Sequence, residues 1–163
     1  MGLTATAAGW FLLAAAPISF FVAFSDLARM KIPNVAVGAL VVSYAILGLL
    51  TLPLDVYLWG YVHFIVALVV GIVVNAAGLI GAGDAKFVAA ASPMIAVADL
   101  PLLIPLFAAC LIAGYLTHRI AKHTPLQSLV PHWESWDAGR RFPMGFPLGM
   151  ALVFYLALVF MTR

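Results

Sequence analysis

The chain has 163 residues, a length for one domain, of which 66% are hydrophobic and only 9% charged. A soluble domain carries about 25% charged and roughly 45–50% apolar residues, so an ordinary cytosolic domain, a disordered chain and a collagen-like fibre are excluded. The formal charge of +2 gives no basic patch for nucleic acid, and one cysteine, Cys110, excludes an internal disulfide and a Cys-based zinc cluster.

A mean hydropathy of +1.15 instead predicts an all-α integral membrane protein forming a single domain over 1–163. A bilayer-crossing helix needs about 20 mainly apolar residues. The charge-free stretches run from Met1 to Ser25, Ile32 to Leu54, Val56 to Gly83, Phe87 to Ala98, Leu100 to His118 and Phe142 to Thr162. They predict six helices, near 6–25, 35–51, 57–79, 86–98, 100–118 and 146–161. The first lacks the basic start and clear cleavage site of a signal peptide, so it reads as a retained helix.

The fourth is short for a core of about 30 Å, and Pro93 adds a possible kink. The positive-inside rule nevertheless favours its crossing. With six spans and both termini outside, Arg29, Lys31, Lys86, Arg119, Lys122, Arg140 and Arg141 all face the cytoplasm, leaving only Arg163 outside. The cytoplasmic connections are then Asp26 to Asn34, a tight turn from Gly81 to Lys86, and a longer loop from Arg119 to Pro143. That loop holds Trp133 and Trp136, which favour the headgroup level.

Six acidic residues are available for chemistry. Asp55 and Asp99, at outer loops, read as hydrated or capping residues. Glu134 and Asp137 read as partners for Arg140 or Arg141. Asp26 and Asp84 differ, because both end up at membrane-embedded helix ends on one face, where ionisable groups are costly and point to function. Pairing of Asp26 with Arg29 or Lys31, and helix capping by Asp84 beside Lys86, are the structural alternatives. Brought together, two carboxylates push one pKa up and leave the other ionised, so one serves as base on water and the other as acid toward a carbonyl oxygen.

Other chemistries find less support. No G-x-S-x-G motif is present. His118, His123 and His132 share the third loop at spacings unlike a metal motif and read as interfacial polar residues. His63 lies within the third helix, where a proton-relay role stays open. Asn75 reads as interhelical glue, and Cys110 as a small packed hydrophobe. No metal site is expected.

Gly81-Ala82-Gly83-Asp84-Ala85-Lys86 resembles the GxGD motif of intramembrane aspartyl proteases, in the form found in type IV prepilin peptidases. Asp26, Arg29, Lys31, Ile32, Pro33 and Asn34 are similar to that family's other aspartate segment, which ends the first catalytic-domain helix. Pro143, Gly145 and Pro147 resemble its P-x-G-P-like opening of the last helix, with one extra residue before the second proline. The Tyr-Asp and P-A-L motifs of presenilins and signal peptide peptidases do not occur, since Asp26 follows Ser25.

The resemblance implies a GxGD aspartyl protease architecture, with Asp26 and Asp84 as catalytic pair and Gly81, Gly83, Lys86, Arg29, Lys31, Pro33, Asn34, Pro143, Gly145 and Pro147 as supporting motif residues. It implies removal of the basic leader of a prepilin, just before its hydrophobic helix, at the cytoplasmic face of a bacterial inner membrane. Larger family members add a cytoplasmic portion with C-x-x-C pairs and methylate the new pilin terminus. With only Cys110, this chain resembles the short, peptidase-only branch associated with Flp/Tad-type pili, and no cofactor is expected. The competing readings are a small transporter moving ions or protons through the same aspartates, and a structural subunit in which both merely cap helices. Ser43, Tyr44, His63, Asn75 and Thr117 form no obvious polar file for transport.

Overall fold

The computed structural model describes residues 2–139 and 141–163, so Arg140, predicted to face the cytoplasm and to pair with Glu134 or Asp137, lies outside the described residues, as does Met1. Six main helices follow in order. They are α1 (Ala5–Arg29), α2 (Asn34–Thr51), α3 (Leu54–Ala76), α4 (Ala82–Ala91), α5 (Leu100–Lys122) and α6 (Gly145–Thr162). All but α4 belong to segments long and apolar enough to cross a membrane, with α5 extended by the 3₁₀ turn Val97–Asp99. These segments leave large side chains such as Val66, Val69, Ile72, Ile104 and Ile112 more than half exposed. Water would not tolerate such faces, whereas lipid would. The chain is a multi-pass membrane protein.

Local chemistry sets the helix ends. Thr4 caps α1 by accepting the Ala7 N–H at 3.3 Å. At its other end Met30 turns left-handed (φ 52°, ψ 38°), and its N–H returns to the Asp26 carbonyl. Pro33 fixes an extended entry to α2. Inside α2 the backbone loosens into a π turn at Tyr44–Gly48. The Tyr44 hydroxyl donates to the Tyr57 carbonyl, and the Tyr57 hydroxyl donates to the Ala45 carbonyl within that turn. The predicted third helix ends earlier than 79, because Gly78 takes a positive φ of 74° and the Asn75 side-chain amide donates to the Ile80 carbonyl. Asn75 therefore stabilises its own helix end rather than bridging helices.

The largest departure is the fourth helix, predicted over 86–98. It begins earlier, at Ala82, and gives way after Ala91 to a 3₁₀ turn, Ser92–Met94, at Pro93. Ten residues reach about 15 Å, half a bilayer core, and five of the helices, not six, meet the length and hydropathy of a span. What α4 lacks in length it has in burial. Ala85, Phe87, Ala89, Ala90 and Ala91 are buried among α2, α3 and α6.

The core joins α1, α2, α4 and α6 through Phe11, Leu40, Tyr44, Phe87, Met94, Leu152, Tyr155 and Leu156. The antiparallel pair α1 and α6 makes the most extensive contact among the described residues. At Gly149 an added Cβ would lie 2.9 Å from the Ser19 carbonyl oxygen, so only glycine permits this approach. One end of the bundle therefore gathers Asp26 and the start of α6. The other gathers Leu3, Asp99 and Arg163.

At that second end Asp99 departs from its reading as a hydrated or capping residue. It is buried, ion-paired with Arg163 and hydrogen-bonded by the Tyr155 hydroxyl at 2.8 Å. The Arg163 guanidinium also donates to the Leu3 carbonyl, tying the start of α1 to the end of α6. Such a pair forms because a lone carboxylate in an apolar setting must find a partner.

Candidate active site

Asp26 occupies the last turn of α1 and is 5% exposed. Its Oδ2 accepts the Gly145 N–H at 2.6 Å, across 119 residues of sequence. Gly145 opens α6, where the first backbone N–H groups have no partner within the helix and suit an acidic acceptor. Asp84 stands three residues after Gly81, the N-cap of α4, and its Oδ2 accepts the Gly81 N–H at 3.2 Å. Capping by Asp84 is thus real, but it engages one carboxylate oxygen only.

Both aspartates line a single cavity of about 590 Å³, open at its mouth and walled by the Gly78–Asp84 turn, the Met30–Ile32 loop and Arg141, Phe142 and Met144. Of the sequence-selected residues, the fold brings Asp26, Lys31, Gly81, Gly83 and Asp84 to this cavity. Gly145 joins through Asp26. Gly83 packs on Ile32, where a Cβ would sit 3.2 Å from the isoleucine Cβ, so the two motif segments touch directly.

Lys86 donates to the Asn34 Oδ1 at 3.2 Å, a second link between those segments and an account of both residues. Pro33 caps α2, while Pro143 and Pro147 are buried where the long loop meets α6. Arg29 lies in the last turn of α1 and does not line the cavity. Neither Arg29 nor Lys31 forms an ion pair with Asp26 among the described residues.

The sequence does not assign Met30, Arg141, Phe142 or Met144 to the site, and Arg141 reads there only as a cytoplasmic cation and a partner for Glu134 or Asp137. Arg141 brings a second cation, beside Lys31, to a cavity holding two carboxylates. Nothing in local spacing marks it, because the loop reaches the site only by folding back. That return is secured by stacked rings. Trp133 packs edge-on against Phe24 of α1, Trp136 stacks on Trp133, and His118 stacks on Trp136 at 4.8 Å. His118 is thus a buried residue within α5, not a polar residue of the loop. Lys122 donates to the Trp136 carbonyl. Glu134 and Asp137 form no ion pair with Arg141 among the described residues, nor do three or more His, Cys, Asp or Glu side chains gather as a metal site there.

Two carboxylates in one partly enclosed cavity can divide a proton between them, one form serving as base and the other as acid. No curated protein and no solved structure matches the chain. The Type IV leader peptidase family matches residues 10–117. That segment is more than half of the chain and contains Asp26, the Ile32-Pro33-Asn34 run and the Gly81–Lys86 turn, but stops short of Pro143, Gly145 and Pro147. On this match the chain belongs to the type IV leader peptidase family.

Proposed function

We propose that the chain is an aspartic endopeptidase that removes the basic leader of Flp-like type IV prepilins, with Asp26 and Asp84 as its catalytic pair. The observation that carries this reading is the shared cavity of the two aspartates, built from the two motif segments of a leader peptidase. In this mechanism one carboxylate takes a proton from a water held between the pair. The resulting hydroxide adds to the scissile carbonyl carbon, while the protonated partner gives its proton to the carbonyl oxygen. Collapse of the tetrahedral intermediate breaks the C–N bond: the departing amine receives the proton first taken from water, and one hydroxyl returns a proton to the partner carboxylate as the carbonyl re-forms. The pair titrates as a unit, so neither aspartate is given a fixed role. The reaction consumes water alone and calls for no methyl donor.

The scissile segment must be extended, because a helical backbone screens its carbonyl. Glycines 78, 81 and 83 around the cavity leave room for such a strand. The membrane arrangement we infer is a single peptidase domain over 1–163 with α4 as a sixth, short crossing that thins the bilayer locally. The cavity then faces the cytoplasm from the inner membrane. Lys31, Lys86, Arg119, Lys122 and Arg141 fall on the same side, as the positive-inside rule favours. Membership in a peptidase family favours hydrolysis over ion- or proton-coupled transport.

The test is cleavage of a co-expressed Flp-type prepilin by the unmodified chain, Asp26→Asn and Asp84→Asn, with membrane insertion of each verified. Loss of at least about 1,000-fold in rate is expected for either substitution. Near-normal cleavage by an inserted variant would exclude the two-carboxylate mechanism. Failure of the unmodified chain on several prepilins would exclude the substrate class.

A further inference from the structure

A second cavity, of about 440 Å³, runs along the membrane face between α1 and α6, beside the aspartate site. Its floor is made of small residues, Ala16, Ser19, Ala23 and Gly149, and its rim of Phe20, Phe24, Trp133 and Phe154. Small floors between bulky rims are what one helix offers another in a membrane, where close backbone approach replaces hydrophobic driving force. A face meant only for acyl chains has no need of them.

Two polar atoms add an independent observation. Ser19 is 2% exposed and its hydroxyl has no hydrogen-bond partner. The Trp133 indole N–H is likewise buried and unpartnered. Both residues line this groove. Buried donors without acceptors are costly, and hydrocarbon tails offer none. A polypeptide whose helix loosens at one end offers carbonyl oxygens.

The groove also points at the chemistry. Ser19 precedes Asp26 by seven residues, two turns or about 10 Å along the same face of α1. Phe24 and Leu27, at the groove's upper end, flank Asp26 in sequence, and Trp133 closes that end against Phe24. A helix seated here ends level with the contact between Asp26 and Gly145, one short extended segment away from the cavity.

We propose that this groove between α1 and α6 docks the apolar transmembrane helix of the leader-bearing substrate, which unwinds past Trp133 toward Asp26 and Asp84. The inference rests on the peptidase reading and is tested apart from it. The probe is a tagged fusion of a basic leader and an apolar helix of about 20 residues, held uncut in membranes by the Asp26→Asn, Asp84→Asn double variant. The photo-cross-linker p-benzoylphenylalanine is placed at Phe20, at Phe154 or, as a control, at the exposed Val69 of α3.

Adducts with the fusion are expected from Phe20 and Phe154 well above those from Val69. Equal or weaker labelling from the groove, or adducts with lipid alone, would overturn the docking site. As a second measurement, Ala23→Leu fills the floor and is expected to raise KM for the fusion about tenfold. A fall in kcat with KM unchanged would also overturn it. Cleavage of the same fusion by the unmodified chain reads the peptidase activity separately, so the two inferences fail by different results.

Discussion

Gly145 is the residue on which the geometry of Asp26 turns. Its N–H holds the Asp26 Oδ2 at 2.6 Å, and a Cβ in its place would meet the aspartate Cβ and Oδ2 at 3.0 Å and Val22 Cγ1 at 3.1 Å. All three are tighter than ordinary packing, so Gly145→Ala must shift either α1 or the carboxylate. Michaelis kinetics should show kcat lower by about 10- to 100-fold with a smaller change in KM; a change confined to KM would contradict this account. Both aspartates were legible as candidates in the sequence, because a carboxylate at a membrane helix end requires explanation. Gly145 was legible only by likeness to a motif, since a hydrogen bond spanning 119 positions leaves no local trace.

At the scale of elements, the contact between α1 and α6 governs the site. Gly145 and Gly149 lie one turn apart on α6 and face Asp26 and Ser19 on α1. Their spacing lets the two backbones approach until the first N–H groups of α6 reach the end of α1. Gly149→Ala places a Cβ 2.9 Å from the backbone oxygen of Ser19, which cannot rotate away. Thermal melting should register a loss of about 1–3 kcal/mol, and cleavage should weaken with it as Asp26 loses its donor. An unaltered melting temperature would mean the helices have room that the structure denies them. In α4 the helix ends answer to a different signal from its apolar run. Charge spacing located a short apolar segment there, yet its start and stop were set by details outside that signal. Asp84 takes up the Gly81 N–H at one end, and Pro93 imposes a 3₁₀ turn at the other. Hydropathy reports where a segment can be buried. It does not report which backbone groups find partners.

Across the whole molecule the charged residues divide between two ends, with different tasks. One end holds Asp26 and Asp84 at an open cavity, and the other buries Asp99 against Arg163 and Tyr155. Arg163→Ala takes the guanidinium from the buried Asp99 carboxylate, which keeps the Tyr155 hydroxyl, and frees the Leu3 carbonyl. Because Arg163 is itself partly exposed, the expected cost is about 1–3 kcal/mol, short of the roughly 3–5 kcal/mol for a fully buried pair. It should appear as a lower melting temperature with kcat little changed, and a selective loss of catalysis would show that the two ends are coupled. The sequence by itself determined the membrane class, the approximate helix positions and the two aspartates worth suspecting. Each of these follows from local composition and spacing, which lipid and backbone hydrogen bonding read directly. Only the tertiary structure decided that the two motif segments meet, that Gly145 supports Asp26, that Asp99 is an anchor, and that the tryptophan loop folds back over α1. Those outcomes depend on which distant surfaces fit, and packing complementarity between helices is not written in the spacing along any one of them.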